Sequence, residues 1–233
     1  PGRAAVVAGD ASVSYRELEA RVQALAIGFI RERIARGERV GLLSTNSVAF
    51  VEAVHALPRV GAVLVPLNVR LSPAELAWQV RDASIRNIFA VAPTRELAEA
   101  VAAQTGAAVS LLDGEPGAHA RRARVPAGGE LVFEHDPDDT LAVIYTSGTT
   151  GRPKGALLSY GNFLASAAAS AFNIGVDPGD RWLACMPLFH VGGLSIVTRS
   201  VIYGTTLVLH EAFEDEQPVA ADRARQDGRK CNE

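Results

Sequence analysis

The chain has little of what would mark several protein classes. Its 233 residues hold two cysteines, Cys185 and Cys231, far apart in sequence. Two such cysteines make neither a disulfide framework nor a metal-binding pattern. Cys185 sits in an apolar run and reads as a small buried core residue. Cations are in slight deficit, with a net charge of −3, so there is no basic footprint for nucleic acid. No apolar run approaches bilayer-spanning length. The first residues, PGRAAVVAGD, lack the pattern of a secretory signal. There is no internal repeat and no low-complexity tract. By these absences the cytoplasm is the expected location. The chain opens on Pro1 rather than Met, and the expectation is that its true beginning is missing.

What is present suits a packed α/β protein. Hydrophobic residues make up 48% and charged residues 21%, enough for a sizeable core in one large domain or two small ones. Ser14-Tyr-Arg-Glu17 spells a capping box. Leu18, Val22, Leu25, Phe29 and Ile30 follow at helical spacing, with Gly37 as the expected stop. Val40–Leu43 reads as a buried strand. Thr45-Asn46-Ser47 reads as a turn and N-cap, and Phe50, Val51, Val54 and Leu57 give the next helix one apolar side. Ala62–Val65 is a second strand. Ser72-Pro73-Ala74-Glu75 starts a helix that runs to about Ala83. Ile85–Val91 and Ala108–Leu112 read as strands flanking a helix over Thr94–Gln104. Asp113–Gly129 has no clean period and reads as an exposed loop, its Arg121, Arg122 and Arg124 a solvated cluster. The alternation resumes with a strand over Leu141–Thr146, a helix from Tyr160 to about Ala171, a strand over Trp182–Met186, a loop over Pro187–Gly193, a helix over Leu194–Tyr203 and a strand over Thr205–Leu209. Strands and helices alternating in this way predict layered helices on mostly parallel β-sheets.

One stretch carries chemistry. Tyr145–Gly155 reads YTSGTTGRPKG, which sets Thr146, Ser147, Thr149 and Thr150 among Gly148, Gly151 and Gly155 and places Lys154 between Pro153 and Gly155. Glycines let backbone N–H groups turn toward a ligand, hydroxyls add donors, and lysine adds a point charge. That set suits a polyphosphate, although a lone Gly/Thr-rich loop would be no more than a flexible turn. The Walker spacing is absent. Counted from Gly148, its second glycine would fall on Pro153, and Lys154 is followed by Gly155 rather than a hydroxyl.

The string resembles the phosphate-binding signature of the AMP-forming acyl- and aryl-CoA synthetase, adenylation-domain and luciferase superfamily. The resemblance runs through nearly the whole chain to about Glu214. YREL at Tyr15–Leu18 looks like that superfamily's first helix, Gly37–Asn68 is similar to its recurrent early segment, and MPLFHVGG at Met186–Gly193 to its next motif. Within it, Pro187–Glu211 most resembles the 2-succinylbenzoate–CoA ligases of menaquinone biosynthesis. The resemblance implies the N-terminal part of the large domain of the adenylate-forming fold. It implies a ligase that joins a carboxylic acid to the α-phosphate of ATP, with Mg2+, releases pyrophosphate, and passes the acyl group to coenzyme A. Thr146, Ser147, Gly148, Thr149, Thr150, Gly151, Lys154 and Gly155 would embrace the β- and γ-phosphates, with Thr150 at the magnesium ion. His190 would be the catalytic residue near the reacting carboxylate. Gly192 and Gly193 would admit an aromatic ring, and Arg199 would pair with the second carboxylate of a succinylbenzoate. The implied partners are a small carboxylate, ATP and CoA, and a homodimer is compatible with them.

Other expectations concern extent. No YGxTE-like segment follows the PLFH motif, and the ribose-binding aspartate, the hinge and the small C-terminal domain are not found. Residues 1–214 are therefore expected to be a partial adenylation domain and 215–233 an atypical tail from truncation or a frame shift. Such a piece would not complete adenylation alone. Another acyl- or aryl-CoA ligase, an amino-acid adenylation domain and a non-catalytic nucleotide-binding fragment remain alternatives.

Overall fold

Two sheets share a layer of helices. The computed structural model describes residues 2–112, 125–146 and 152–210. In chain order the elements are β1 (Ala4–Ala8), β2 (Ala11–Ser14), α1 (Tyr15–Arg31), β3 (Arg39–Leu43), α2 (Val48–Ala56), β4 (Val63–Pro66), α3 (Pro73–Asp82), β5 (Asn87–Ala90), α4 (Arg95–Thr105) and β6 (Ala108–Leu111). Then come β7 (Thr140–Thr146), β8 (Lys154–Ser159), α5 (Tyr160–Ile174), β9 (Arg181–Ala184), α6 (Val191–Tyr203) and β10 (Thr206–Leu209). The larger sheet runs β6-β5-β3-β4-β7-β8, parallel except for the antiparallel β7–β8 pair. The smaller runs β2-β1-β10-β9, parallel except for β1–β2.

The larger sheet is covered on both faces, and the alternation of side chains along its strands shows how. Val40, Leu42, Leu64 and Ile144 point into a core shared with Phe29 of α1, Phe50 and Val54 of α2, Leu194 and Val197 of α6, and Val6 and Leu207 of the smaller sheet. Leu43, Val65, Ile88 and Val143 point the other way, onto Leu76 and Val80 of α3 and Val101 of α4. Phe29 and Phe50 are fully buried, each worth roughly 1.5–3 kcal/mol over exposure.

The mostly parallel, layered α/β expectation matches this architecture. The predicted capping box is formed at Ser14 and Glu17, and the predicted helix start at Ser72 has one too. Ser14 N–H donates to Glu17 at 2.8 Å while Ser14 Oγ accepts from the Glu17 N–H, and Ser72 and Glu75 repeat the arrangement. The Ser14 N–H and hydroxyl, donating to Glu17, hold its carboxyl below the ordinary range, and the Ser72 hydroxyl and N–H do the same for Glu75.

Several boundaries differ from expectation. Helix α1 stops at Arg31, well before Gly37. Arg33 turns left-handed (φ 62°), its N–H bonds Ile30 O, and the Ile34 N–H reaches back to Phe29 O. That is a Schellman cap with arginine where glycine is usual. β1, β2 and β8 were not foreseen as strands. Helix α6 begins at Val191, so the loop expected over Pro187–Gly193 ends at His190. Cys185 is half-exposed rather than buried. Cys231, the tail and the arginine cluster lie outside the described residues. Among the described residues no helix is long and apolar enough to cross a membrane, and no group of three or more His, Cys, Asp or Glu is placed to hold a metal ion.

Candidate active site at the C-terminal strand edges

In open parallel sheets, ligands gather beyond the carboxyl ends of the strands. Thr146 closes β7 at that edge of the larger sheet. Lys154 opens β8 directly across from it, and Tyr145 faces Gly155 in the next register position. The two described ends of the signature are therefore paired with each other as antiparallel strands. Ser147, Gly148, Thr149, Thr150 and Gly151 lie outside the described residues. Thr146, Lys154 and Gly155 are exposed. Lys154 and Lys230 are the chain's two lysines, so the basic side chain chosen here departs from the protein's preference for arginine.

Gly155 is bare for a packing reason. A Cβ there would lie 2.9 Å from Val143 Cγ1 and 3.3 Å from Tyr145 Cζ. The Tyr145 ring lies against this strand partner, edge-on to Trp78 at 6.0 Å between centroids. Its hydroxyl donates to Asp82 Oδ2 at 2.6 Å. Burial, with help from Asp82, raises the phenol well above its ordinary range, so it remains a donor.

The second motif hangs from the smaller sheet. Met186–His190 follows β9, and His210 follows β10. Both are tied to the end of β3 by one side chain, Asn46, which is 6% exposed. Asn46 Nδ2 donates to Met186 O and His210 O, each at 3.0 Å, and Asn46 Oδ1 accepts from the Leu188 N–H at 2.9 Å. The C-terminal edges of the two sheets thus meet at Asn46. This residue was expected only as a turn or cap. The cap of α2 is Ser47, whose Oγ accepts from the Phe50 N–H at 3.1 Å.

His190 is exposed at the N-cap position of α6. Its side chain makes no capping bond, and its ring lies 4.6 Å from that of Phe189. Gly193, in the first helical turn, is buried. The space where its side chain would go holds Pro187 O at 2.5 Å and Leu188 Cα at 3.0 Å. Its bareness lets α6 pack on its own lead-in, whereas Gly192 faces the flexible end of Met186. Arg199 turns toward α5, where its Nη2 donates to Ser166 Oγ at 2.8 Å, and its buried Nε has no partner.

A cavity of about 510 Å3 lies elsewhere, among Leu18, Val54, His55, Leu141, Phe163 and Ile202. It borders the start of β7 and the last turns of α2 and α6, the opposite end from Thr146, and includes no predicted site residue. Burial, and secondarily Arg59, lowers His55 to about 4 there.

The family model described as AMP-binding enzyme matches residues 1–226. A Bacillus cereus protein named 2-succinylbenzoate--CoA ligase is 36% identical over 214 residues, 92% of this chain and 42% of that protein. The structure of O-succinylbenzoate coenzyme A synthetase (MenE) from Bacillus subtilis in complex with AMP superposes with a TM-score of 0.84 at 32% identity, over 97% of this chain and 56% of that one. The same enzyme in complex with ATP and magnesium ion gives 0.82 at 31% identity, over 96% and 58%. The chain spans about 42% of the length of the first curated relatives it matches. On the match across residues 1–226, the chain belongs to the AMP-binding enzyme family.

Proposed function

We propose that this chain supplies the phosphate-gripping part of an adenylate-forming acid–CoA ligase, with 2-succinylbenzoate as the acid. The observation that carries the reading is the Thr146–Lys154 rung. It sets a hydroxyl and an ammonium at the two roots of a Gly/Thr loop, on the carboxyl edge of a parallel sheet. The names of the B. cereus and B. subtilis proteins support the choice of acid.

In the proposed reaction a carboxylate oxygen attacks the ATP α-phosphorus, the bond to the bridging oxygen breaks, and pyrophosphate leaves. The CoA thiol then attacks the acyl carbon, loses its proton, and AMP departs. Neither step needs covalent chemistry from the protein. What it must supply is charge balance and alignment. Lys154 balances phosphate charge, Thr146 donates its hydroxyl, and Ser147, Gly148, Thr149, Thr150, Gly151 and Gly155 complete the cradle. Magnesium takes oxygen ligands and is commonly held by substrate phosphates with few protein groups. The hydroxyl-rich loop fits that mode, with Thr150 as the protein ligand, and the ion would neutralise phosphate charge. His190, exposed and free of capping duty, is the residue for the reacting carboxylate. Gly192 belongs to the same acyl subsite, whereas the expected opening at Gly193 is filled by the Pro187 and Leu188 backbone; the Arg199 guanidinium, whose Nη2 is held by Ser166, is the group for a second carboxylate.

The test uses Lys154 directly. Lysine-selective acylation should modify it, and Mg-ATP should protect it. By calorimetry, Lys154→Ala should weaken Mg-ATP binding about tenfold, the loss of one charged contact. Lys154→Arg should not fully restore it, because the guanidinium is a planar fork rather than a compact charge. Unchanged affinity in Lys154→Ala would remove the reading. For the acid, Arg199→Ala in a complete enzyme carrying this segment should raise the KM for 2-succinylbenzoate about tenfold, the scale of one ion-paired hydrogen bond, and leave that for ATP unmoved. Equal shifts in both would refute the pairing.

A further inference from the structure

The geometry points to Tyr145 and Asp82 as a positioning pair that fixes the stems of the Thr146–Lys154 loop for nucleotide. This rests on the phosphate-loop reading and adds to it residues outside the signature's hydroxyls, glycines and lysine.

Among the described residues β8 is an edge strand, bonded to the sheet only through β7. Its last rung before the loop, Thr146 opposite Lys154, is exposed on both sides. Exposed terminal rungs open with little free energy, and a loop whose roots open loses the alignment that phosphate binding needs. One position behind that rung, Tyr145 ties the hairpin to the helix layer. Its ring lies against Gly155, edge-on to Trp78 of α3, and its hydroxyl reaches Asp82 Oδ2 at 2.6 Å, with Gln79 O at 3.4 Å. The distance is that of a hydroxyl bonded to a carboxylate.

Asp82 ends α3. A carboxylate there faces the negative end of the helix dipole, an unfavourable place for it. A phenol donor offsets that cost, and each side chain of the pair therefore accounts for the other. Gly155 completes the device. Any side chain would push the ring away, since a Cβ would already be 3.3 Å from Cζ. The tie is a hydrogen bond between residues 63 apart. It holds the Thr146 and Lys154 backbones in place before nucleotide arrives, so less ordering is left to binding.

The experiment uses the full 233-residue chain and four variants: Tyr145→Phe, Asp82→Ala, Asp82→Asn and the double Tyr145→Phe/Asp82→Ala. Amide hydrogen exchange over residues 143–157 is followed without nucleotide, and Mg-ATP affinity is measured by calorimetry. Tyr145→Phe keeps the ring on Gly155 and loses only the tie. It and Asp82→Ala should each speed exchange at the Thr146 and Lys154 rungs and weaken Mg-ATP about three- to tenfold. The double variant should be no weaker than the worse single one. Asp82→Asn, which keeps an acceptor, should stay within about twofold of wild type. The melting temperature of Tyr145→Phe should hardly move, which a general structural role would not allow. Wild-type binding with Tyr145→Phe unchanged in exchange or affinity overturns the pairing alone, as do additive losses in the double variant. A wild-type chain that binds no Mg-ATP overturns the phosphate-loop reading, and the pair's claim on nucleotide with it.

Discussion

Asn46→Ala should destabilise the chain by about 2–4 kcal/mol, read as a lower denaturant midpoint with an unchanged slope. Asn46 uses three of its hydrogen-bonding capacities on three backbone groups, Met186 O, His210 O and Leu188 N–H. Alanine cannot satisfy any of them. Carbonyls tolerate a missing partner better than amides do, so most of the cost falls on Leu188, which is fully buried. Asn46→Asp separates the contributions. Its carboxylate could still accept from Leu188 but would face two carbonyl oxygens with no proton to donate. Burial beside those oxygens raises the pKa of such a carboxyl above its unfolded value of about 3.9. Its stability is then fully present below that value and lost as pH rises through the folded pKa. The deficit of Asn46→Asp should shrink on acidification, relative to wild type, and that of Asn46→Ala should not. A midpoint for Asn46→Ala within about 0.5 kcal/mol of wild type would mean the two sheet edges do not depend on this side chain.

Asn46 also shows where sequence reading stops. Local grammar was legible where an element writes its own ends. Ser14 with Glu17, and Ser72 with Pro73 and Glu75, announce α1 and α3 because both partners of each cap lie within one turn. The strands β3, β4, β5, β7, β9 and β10 are short, largely apolar runs between turn residues. The Gly/Thr-rich string stood out because its spacing is dense and local, and its lead-in, Thr146, fell at a strand end as expected. What was missed depends on distant partners. β1 pairs Val6 with Leu207, some two hundred residues away. β8, KGALLS, is largely exposed and is a strand because β7 lies beside it. The partners of Asn46 stand 140, 142 and 164 residues off. In sequence it is one polar residue before a helix, and the adjacent Ser47 already explains the cap. The bond from Tyr145 to Asp82 is hidden in the same way. Arg33 misled for another reason, since the left-handed cap of α1 is filled by a residue whose side chain does not announce it.

Gly193→Ala should cost about 2 kcal/mol, net of an opposing gain. Alanine is the better helix former by about 1 kcal/mol, and Gly193 lies in the first turn of α6. Helix propensity alone therefore predicts stabilisation. The added methyl, however, would sit 2.5 Å from Pro187 O, 2.9 Å from Pro187 C and 3.0 Å from Leu188 Cα. All three are backbone atoms, and no rotamer change relieves them. Pro187 O also accepts from the His190 N–H at 3.1 Å, and Leu188 N–H is bonded to Asn46, so the lead-in cannot move without loosening contacts already made. Overpacking of this kind typically costs about 1–3 kcal/mol, and against rigid backbone the upper end prevails. Gly192→Ala is the control. There the new Cβ would meet Met186 Cε at 3.0 Å, the end of a flexible side chain that is 48% exposed. Methionine can swing aside, leaving the helix-propensity gain, so Gly192→Ala should be neutral or stabilising by up to about 1 kcal/mol. Chemical denaturation of the two variants distinguishes the cases. If both move in the stabilising direction, α6 is not seated against Pro187 and Leu188. If Gly193→Ala alone is destabilised, the glycine before Leu194 is there to seat the helix that carries Arg199 and has His190 at its N-cap position.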